Sequence, residues 1–239
     1  MTTLKSIENL ISGQSWEQAT DVRSKGCGAT MRVQPVGLLP IDSEQRAAIA
    51  QLQAALTHGH PTALAAADLT AWFIAELLQN SDLNTLLKRS RDYIMHQQTH
   101  YHETWLGILY QRALMFPTGS QFIQRGWMEC LTMIDRVEDA LSQKTTNVDP
   151  AVLIGEGWVA EECLGVALYC LLRHPTNPLE AIQHAAFTRG DSDTTACLTG
   201  ALVGAHHGIV GLPESWVERL EYKSQLRHVA QGIAEMWGD

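Results

Sequence analysis

The apolar positions of this chain recur mostly every three or four residues, the spacing of one face of an α-helix. Leu4, Ile7, Leu10 and Ile11 set that rhythm in residues 2–11, and Gly13 closes it. Residues 21–40 break it with Lys25-Gly26-Cys27-Gly28-Ala29-Thr30-Met31-Arg32, a glycine-containing loop. Asp42, with Gln45 three residues on, predicts a capped helix start, with Ile49, Leu52 and Leu56 as its stripe and Gly59 as its stop. Pro61 opens a helix through Leu78 that is apolar on most sides and is therefore expected at the centre. Ser81 begins the next helix, which runs to Gln97. Residues 104–115 and 119–143 read as two amphipathic helices. Glu161 and Glu162 enter the first turn of an apolar helix through Leu172, where carboxylates suit the helix dipole; one of them is expected to be drawn inward. Asn177-Pro178-Leu179-Glu180 spells a cap, a proline and an acidic first turn. Residues 215–237 end the chain with one or two amphipathic helices. Nothing alternates with the period of a strand, and no repeat appears. The predicted class is all-α, with roughly ten helices of the usual length.

Composition narrows this picture only a little. The chain has 239 residues and no Pro/Gly/Ser-rich linker, so one domain is expected over 1–239. Hydrophobic residues are 45% and charged residues 18%, which points to a large core. The net charge of −9 argues against nucleic acid or an anionic membrane as partner, while a local basic pocket for a phosphate-bearing ligand stays compatible with it. Cys27, Cys130, Cys163, Cys170 and Cys197 are odd in number and show no CxxC spacing. Cys163, Cys170 and Cys197 fall in apolar helical runs and read as reduced core residues of a cytoplasmic protein. The polar start shows no targeting signal, and the longest apolar runs, near 163–172 and 196–205, are too short to span a bilayer.

The densest chemistry lies in Arg189-Gly190-Asp191-Ser192-Asp193-Thr194-Thr195, directly before a helix rich in glycine and alanine. Asp193 or Ser192 is a natural N-cap. Two carboxylates this close repel unless a proton or cation lies between them, and a hard divalent cation suits oxygen donors. An acidic helix cap and a metal site are both open readings. Gly200, Gly204 and Gly208 recur every four residues and predict close approach of a neighbouring helix. The loop at Gly26 and Gly28 reads either as a plain turn or as a phosphate-facing backbone. His58, at a helix end, reads as a partner for a ligand or for the helix terminus. His96 and His100, four apart with Glu103 one turn on, offer a face for zinc, although a polar helix end explains them as well.

Taken together, three blocks resemble the ADP-ribosylglycohydrolase family. They are Gly26-Cys27-Gly28-Ala29-Thr30-Met31-Arg32-Val33-Gln34-Pro35-Val36-Gly37-Leu38, Gly157-Trp158-Val159-Ala160-Glu161-Glu162, and Gly190-Asp191-Ser192-Asp193-Thr194 with the helix ending His207-Gly208. The resemblance implies an orthogonal all-α bundle around Mg²⁺ or Mn²⁺. It implies Asp191, Asp193 and Thr194 as metal ligands, with Asp191 and Asp193 as the catalytic carboxylates. Gly26, Gly28, Ala29 and Met31 would lie along ADP-ribose, with Ser192 and His58 near its ribose or phosphates. The implied reaction is hydrolysis of the bond from ADP-ribose to a protein side chain or a small molecule. The sequence departs from the family in two places. The family's earlier Gly-Asp-Ala-Leu-Gly-like and Thr/Ser-Asp-Asp-Thr blocks have no counterpart before Gly26, where Asp21 stands alone, and Arg189 replaces a glycine. The expectation is therefore an N-terminally shortened fold, about three quarters of the family's, with one ion or none. The alternative is a non-catalytic ADP-ribose-binding or structural relative. A homo-oligomer, or association with a missing N-terminal part, is expected over an apolar patch on 61–78 or 194–208.

Overall fold

The computed structural model describes residues 2–79, 82–143 and 148–238. Among these residues the structure is helical, with two isolated β-bridges, Asp21 to His58 and Gly26 to Val159. The long helices are α1 (Thr2–Ile11), α2 (Ser43–Ala55), α3 (Pro61–Leu78), α4 (Leu83–Gln97), α5 (Gly119–Ser142), α6 (Ala160–Arg173), α7 (Pro178–Ala186), α8 (Ser192–His207) and α9 (Lys223–Met236). Ser81, expected to open α4, lies outside the described residues; Asp82 caps that helix by accepting from the Asn84 N–H.

Helix α3 is the spindle. Every residue from Pro61 to Ala75 is buried, because nearly every position is Ala, Leu, Phe, Ile or another small or apolar residue. It is long and apolar enough to cross a membrane by composition, contrary to the sequence reading that every apolar run is too short. Yet 83% of its span is buried inside the protein, so α3 serves the core. Helices α2, α5, α6 and α8 pack around it. The α2 face against the core is Ala47, Ala50, Gln51 and Ala54, not the expected Ile49–Leu52–Leu56 stripe. Small side chains let α2 lie close to α3, and the larger ones fall to its flank, with Leu56 exposed.

Several other expectations are corrected. Leu4, Ile7 and Ile11 of α1 are exposed, and α1 buries only Ser6. Residues 104–115 form two short turns, Glu103–Leu106 and Leu109–Arg112, separated at Gly107, whose φ of +51° ends the first. Cys197 is exposed, while Cys163 and Cys170 are buried as expected. Of residues 61–78 and 194–208, where an exposed apolar patch is expected, Leu78 alone exposes a large apolar side chain. Instead, exposed apolar side chains gather on α1 and on α9, where Leu226, Val229 and Met236 face solvent.

The expected close packing over Gly200 and Gly204 is absent: a Cβ at either would meet nothing within 4 Å. Gly126 on α5 is the reverse. A Cβ there would lie 2.2 Å from the Pro61 carbonyl oxygen, so glycine is what lets α5 cross the start of α3. Gly126→Ala is therefore expected to lose about 1–3 kcal/mol of stability. Gly204→Ala should gain up to about 1 kcal/mol by helix propensity alone. Urea unfolding of both variants checks the opposite signs.

One carboxylate is sealed in the core. Asp68 of α3 is 1% exposed and accepts from the Tyr93 hydroxyl at 2.6 Å and from Gln51 Nε2 at 2.8 Å. Burial raises its pKa from 3.8 to about 6, against the pull of those two donors. A raised native pKa favours the protonated carboxyl in the fold, so its stabilisation is complete below pH 4 and is lost as pH rises through 6. Between pH 4 and 7 this loss is on the order of 3 kcal/mol. Asp68→Asn should flatten that part of the stability profile, as read from urea midpoints at each pH.

Candidate functional site

Three loops distant in sequence are laced together by backbone hydrogen bonds. The Ala160 N–H donates to the Lys25 carbonyl at 2.9 Å and the Cys27 N–H to the Trp158 carbonyl at 3.1 Å. The Asp191 N–H donates to the Glu156 carbonyl at 2.7 Å. A Cβ on Gly190 would lie 2.1 Å from that same Glu156 oxygen, so the last contact demands glycine there. The three blocks singled out in the sequence thus meet at the start of α8.

Asp191 occupies the N-cap position of α8, ahead of Ser192 and Asp193, and its side chain makes no capping bond. The expected cap at Ser192 or Asp193 is corrected on this point. The Asp191 carboxylate turns instead toward the glycine loop, where the Cys27 thiol donates to its Oδ2 at 3.0 Å. Asp191 and Thr194 are buried, Ser192 is half-buried and Asp193 is exposed. The Thr194 hydroxyl reaches the Met31 sulfur at 3.7 Å and lies 4.0 Å from Cys27 Sγ. The neighbouring Asp191 side chain, and then the Thr194 N–H, hold the Asp193 carboxyl below its ordinary pKa. Burial, then the Asp191 charge, pushes the Cys27 thiol up to about 12, so it stays protonated at neutral pH and is no nucleophile.

The glycine loop continues as a 3₁₀ helix, Cys27–Arg32, with Ala29 fully buried and Met31 exposed. Gly28 answers to a close neighbour: a Cβ there would lie 2.9 Å from the His58 ring. His58 is buried beneath the loop, its Nδ1 2.7 Å from the Thr57 hydroxyl. Burial and the Arg32 charge lower its pKa to about 4, so the ring is neutral. The structure thus gives His58 a supporting place under Gly26 and Gly28. Arg32 clamps the loop to α2 and to Thr57 just beyond it, donating to the Gly28 and Gln53 carbonyls and to the Thr57 hydroxyl. Lys25 anchors the other end. It bonds Glu129 of α5 at 2.8 Å and Glu161 of α6, and Thr62 also donates to Glu129 at 2.9 Å. Burial opposes the charge on Lys25, but the two carboxylates outweigh it and raise its pKa. Glu161 is the carboxylate drawn inward, as expected.

Two features lie apart from this centre. A cavity of about 920 Å³ opens between α1, residues 18–23, residues 112–116 and the start of α3. Lys5, Arg23, His60, Arg112 and Arg125 line it, with Asp21, so it is a basic pocket in an acidic protein. It touches none of Asp191, Asp193 and Thr194, and Asp21 is the one carboxylate among its lining residues. The candidate chemistry therefore lies at the start of α8, despite the cavity's size. The second feature is a cluster of Glu44, His100 and His102. The zinc face considered at His96, His100 and Glu103 does not assemble. His96 points away, exposed on the last turn of α4, and His100 meets Glu44 instead.

Comparison with known proteins bears on the family and the fold. The family model described as ADP-ribosylglycohydrolase matches residues 1–239. The chain is 26% identical to mouse (Mus musculus) ADP-ribosylhydrolase ARH3 over 223 residues, covering 88% of this chain and 56% of that protein. It is 27% identical to the human (Homo sapiens) ARH3, over 88% of this chain and 58% of the relative. Against ADP-ribosylhydrolase ARH1 of Dictyostelium discoideum the identity is 22%, over 89% and 61%. The chain therefore spans little more than half the length of these curated relatives. Among solved structures, an "ADP-ribosylglycohydrolase-related protein complex" shares the fold with a TM-score of 0.66 at 20% identity, over 98% of this chain and 68% of that one. With the family match running the length of the sequence and the all-α architecture shared, the chain belongs to the ADP-ribosylglycohydrolase family.

Proposed function

We propose that this chain contributes the Asp191–Asp193–Thr194 half of a metal-dependent site that hydrolyses the bond between ADP-ribose and a protein side chain or small molecule. The observation that carries the reading is the meeting of the three loops at the start of α8, which brings these oxygen donors beside the Gly26–Met31 segment.

The donor set fits a hard cation. Two carboxylates at one helix start, Asp191 at the N-cap and Asp193 in the first turn, repel each other unless a cation or proton lies between them, and a divalent ion meets that need. Asp191, Asp193 and Thr194 would hold Mg²⁺ or Mn²⁺, with solvent or other oxygens completing the six or more ligands such ions take. When bound, the ion supplies Lewis-acid polarisation and lowers the pKa of water. The chain's own part is positioning. Gly26 and Gly28 offer backbone without bulk for the substrate, the buried Ala29 seats the loop on the core, Met31 and Ser192 flank the donors, and Lys25 and Arg32 keep the loop at fixed depth. His58, neutral and buried, supports the loop from below.

One observation favours a second reading. The Cys27 thiol already occupies Asp191 Oδ2, which supports a relative that binds ADP-ribose without cleaving it. Incubation with ADP-ribosyl-arginine and with ADP-ribosyl-serine peptides, each with Mn²⁺, separates the two. Release of ADP-ribose that falls at least about 100-fold in Asp191→Asn, the scale of losing an electrostatic stabiliser at a reacting centre, supports hydrolysis. Calorimetric binding of ADP-ribose without turnover supports the binder; neither binding nor turnover contradicts both.

The exposed apolar residues of α1 and α9 support self-association or cover by further polypeptide. Light scattering should show mass rising with concentration for the wild type and less so for Leu226→Glu/Val229→Glu. A monomer at every concentration contradicts self-association.

A further inference from the structure

The cluster at Glu44, His100 and His102 lies outside the site already described and is built from different elements. Glu44 sits in the first turn of α2. His100 and His102 flank Tyr101 in the segment after α4. Tyr101 turns into the core, where its ring packs edge-on to Tyr110 and Phe122 and its hydroxyl donates to the Leu106 and Gly107 carbonyls. In an extended stretch, residues two apart face the same side. Pinning Tyr101 inward therefore presents both imidazoles together, their ring centroids 4.6 Å apart.

Both rings converge on one carboxylate oxygen. His100 Nε2 lies 2.9 Å and His102 Nδ1 3.2 Å from Glu44 Oε1. All the ligand atoms fall within 4.8 Å of one another. A tetrahedral zinc ion with bonds of about 2.0–2.1 Å sets neighbouring ligand atoms about 3.3 Å apart. The observed spacing reaches that figure with shifts of a few tenths of an ångström for the two contacts to Glu44. The cluster is also partly preorganised. The His102 side chain is 2% exposed, and its other nitrogen, Nε2, is enclosed without a hydrogen-bond partner, so the one polar contact of that buried ring is Nδ1 facing Glu44. The side chains of His100 and Glu44 are 45% and 57% exposed, which leaves an approach from solvent for a fourth ligand.

The geometry points to a zinc-class metal site at Glu44, His100 and His102, with water as fourth ligand. Two imidazoles and one carboxylate select a borderline ion such as Zn²⁺ over Mg²⁺, which takes oxygen donors. The all-oxygen set at Asp191 has the opposite preference. An ion here ties the segment after α4 to the first turn of α2, the helix whose far end is clamped by Arg32. Its role is a clip between these elements, and no step at the start of α8 passes through it.

The test uses the full chain stripped of metal with a chelator. Zn²⁺ is titrated in competition with a chromophoric chelator, and Co²⁺ is added separately as a spectroscopic probe of four-coordination. The wild type and Asp191→Asn/Asp193→Asn should each take up one zinc equivalent at this cluster and show the intense visible bands of four-coordinate cobalt. His100→Ala, at an exposed position that leaves the fold intact, should weaken zinc binding at least tenfold and lose those bands, as should Glu44→Ala. Melting temperature should rise by several degrees on adding zinc to the wild type but not to His100→Ala. No zinc uptake would overturn the proposal. So would uptake unchanged in both His100→Ala and Glu44→Ala, or cobalt bands that vanish only in the Asp191 variant.

Discussion

The candidate site exists only because three segments of backbone hydrogen-bond to one another. Lys25 and Cys27 pair with Ala160 and Trp158, and Asp191 pairs with Glu156. These bonds are short and involve groups that would otherwise be left unsatisfied near the interior, where a missing partner costs about 1–3 kcal/mol each. They also fix position. With residues 155–160 paired to the glycine loop on one side and to Asp191 on the other, the start of α8 cannot move without breaking the Asp191–Glu156 bond. The side chains of Asp191 and Thr194 therefore face Cys27 and Met31 as a consequence of main-chain pairing. A set of donors held in this way is ordered before any ligand arrives, which lowers the cost of binding.

The rest of the molecule keeps those segments at the right depth. Helix α3, buried nearly throughout, sets the distance between α2 on one side and α5, α6 and α8 around it. The glycine loop is tied to both sides. Arg32 reaches α2 through the Gln53 carbonyl, and Lys25 reaches α5 and α6 through Glu129 and Glu161. His58 fills the space under Gly26 and Gly28, so the glycines are matched to a ring as well as to any ligand. The half-buried Lys25 shared between two carboxylates would be costly to break from one side, since removing the lysine leaves both acids uncompensated.

Much of this is legible in the sequence, and the misses share physical causes. Asn177 with Pro178, and Asp42 with Gln45, signal helix starts because caps are local chemistry, and both caps form. Helix α3 is legible as central because its composition is apolar all round. The α2 face is hidden because alanine contributes little to an apolar pattern yet governs how closely helices approach. The Gly200–Gly204 face misleads for the converse reason: glycine permits close packing without requiring it. Asp191 as cap residue, and its bond to Cys27, are hidden because the partners are 164 positions apart. The Glu44 cluster is half legible. The two-residue spacing of His100 and His102 is visible, but the carboxylate comes from another helix, and His96, though four residues away in a helical register, belongs to a different surface. The three family blocks meet in space with the help of glycines that admit a close neighbour: Gly190 the Glu156 main chain, Gly28 the His58 ring and Gly157 the Thr195 side chain.

The central claim is that Asp191, Asp193 and Thr194 hold a divalent ion beside the Gly26–Met31 and Gly157–Trp158 loops. Paramagnetic broadening by Mn²⁺ tests it most directly. In an assigned amide spectrum, substoichiometric Mn²⁺ should erase the signals of Gly28, Cys27, Gly157 and Thr194 and broaden the Trp158 indole, while the Trp237 indole at the end of α9 persists. Asp191→Asn should restore the erased signals. Broadening confined to other surfaces, or identical in wild type and Asp191→Asn, would contradict the account.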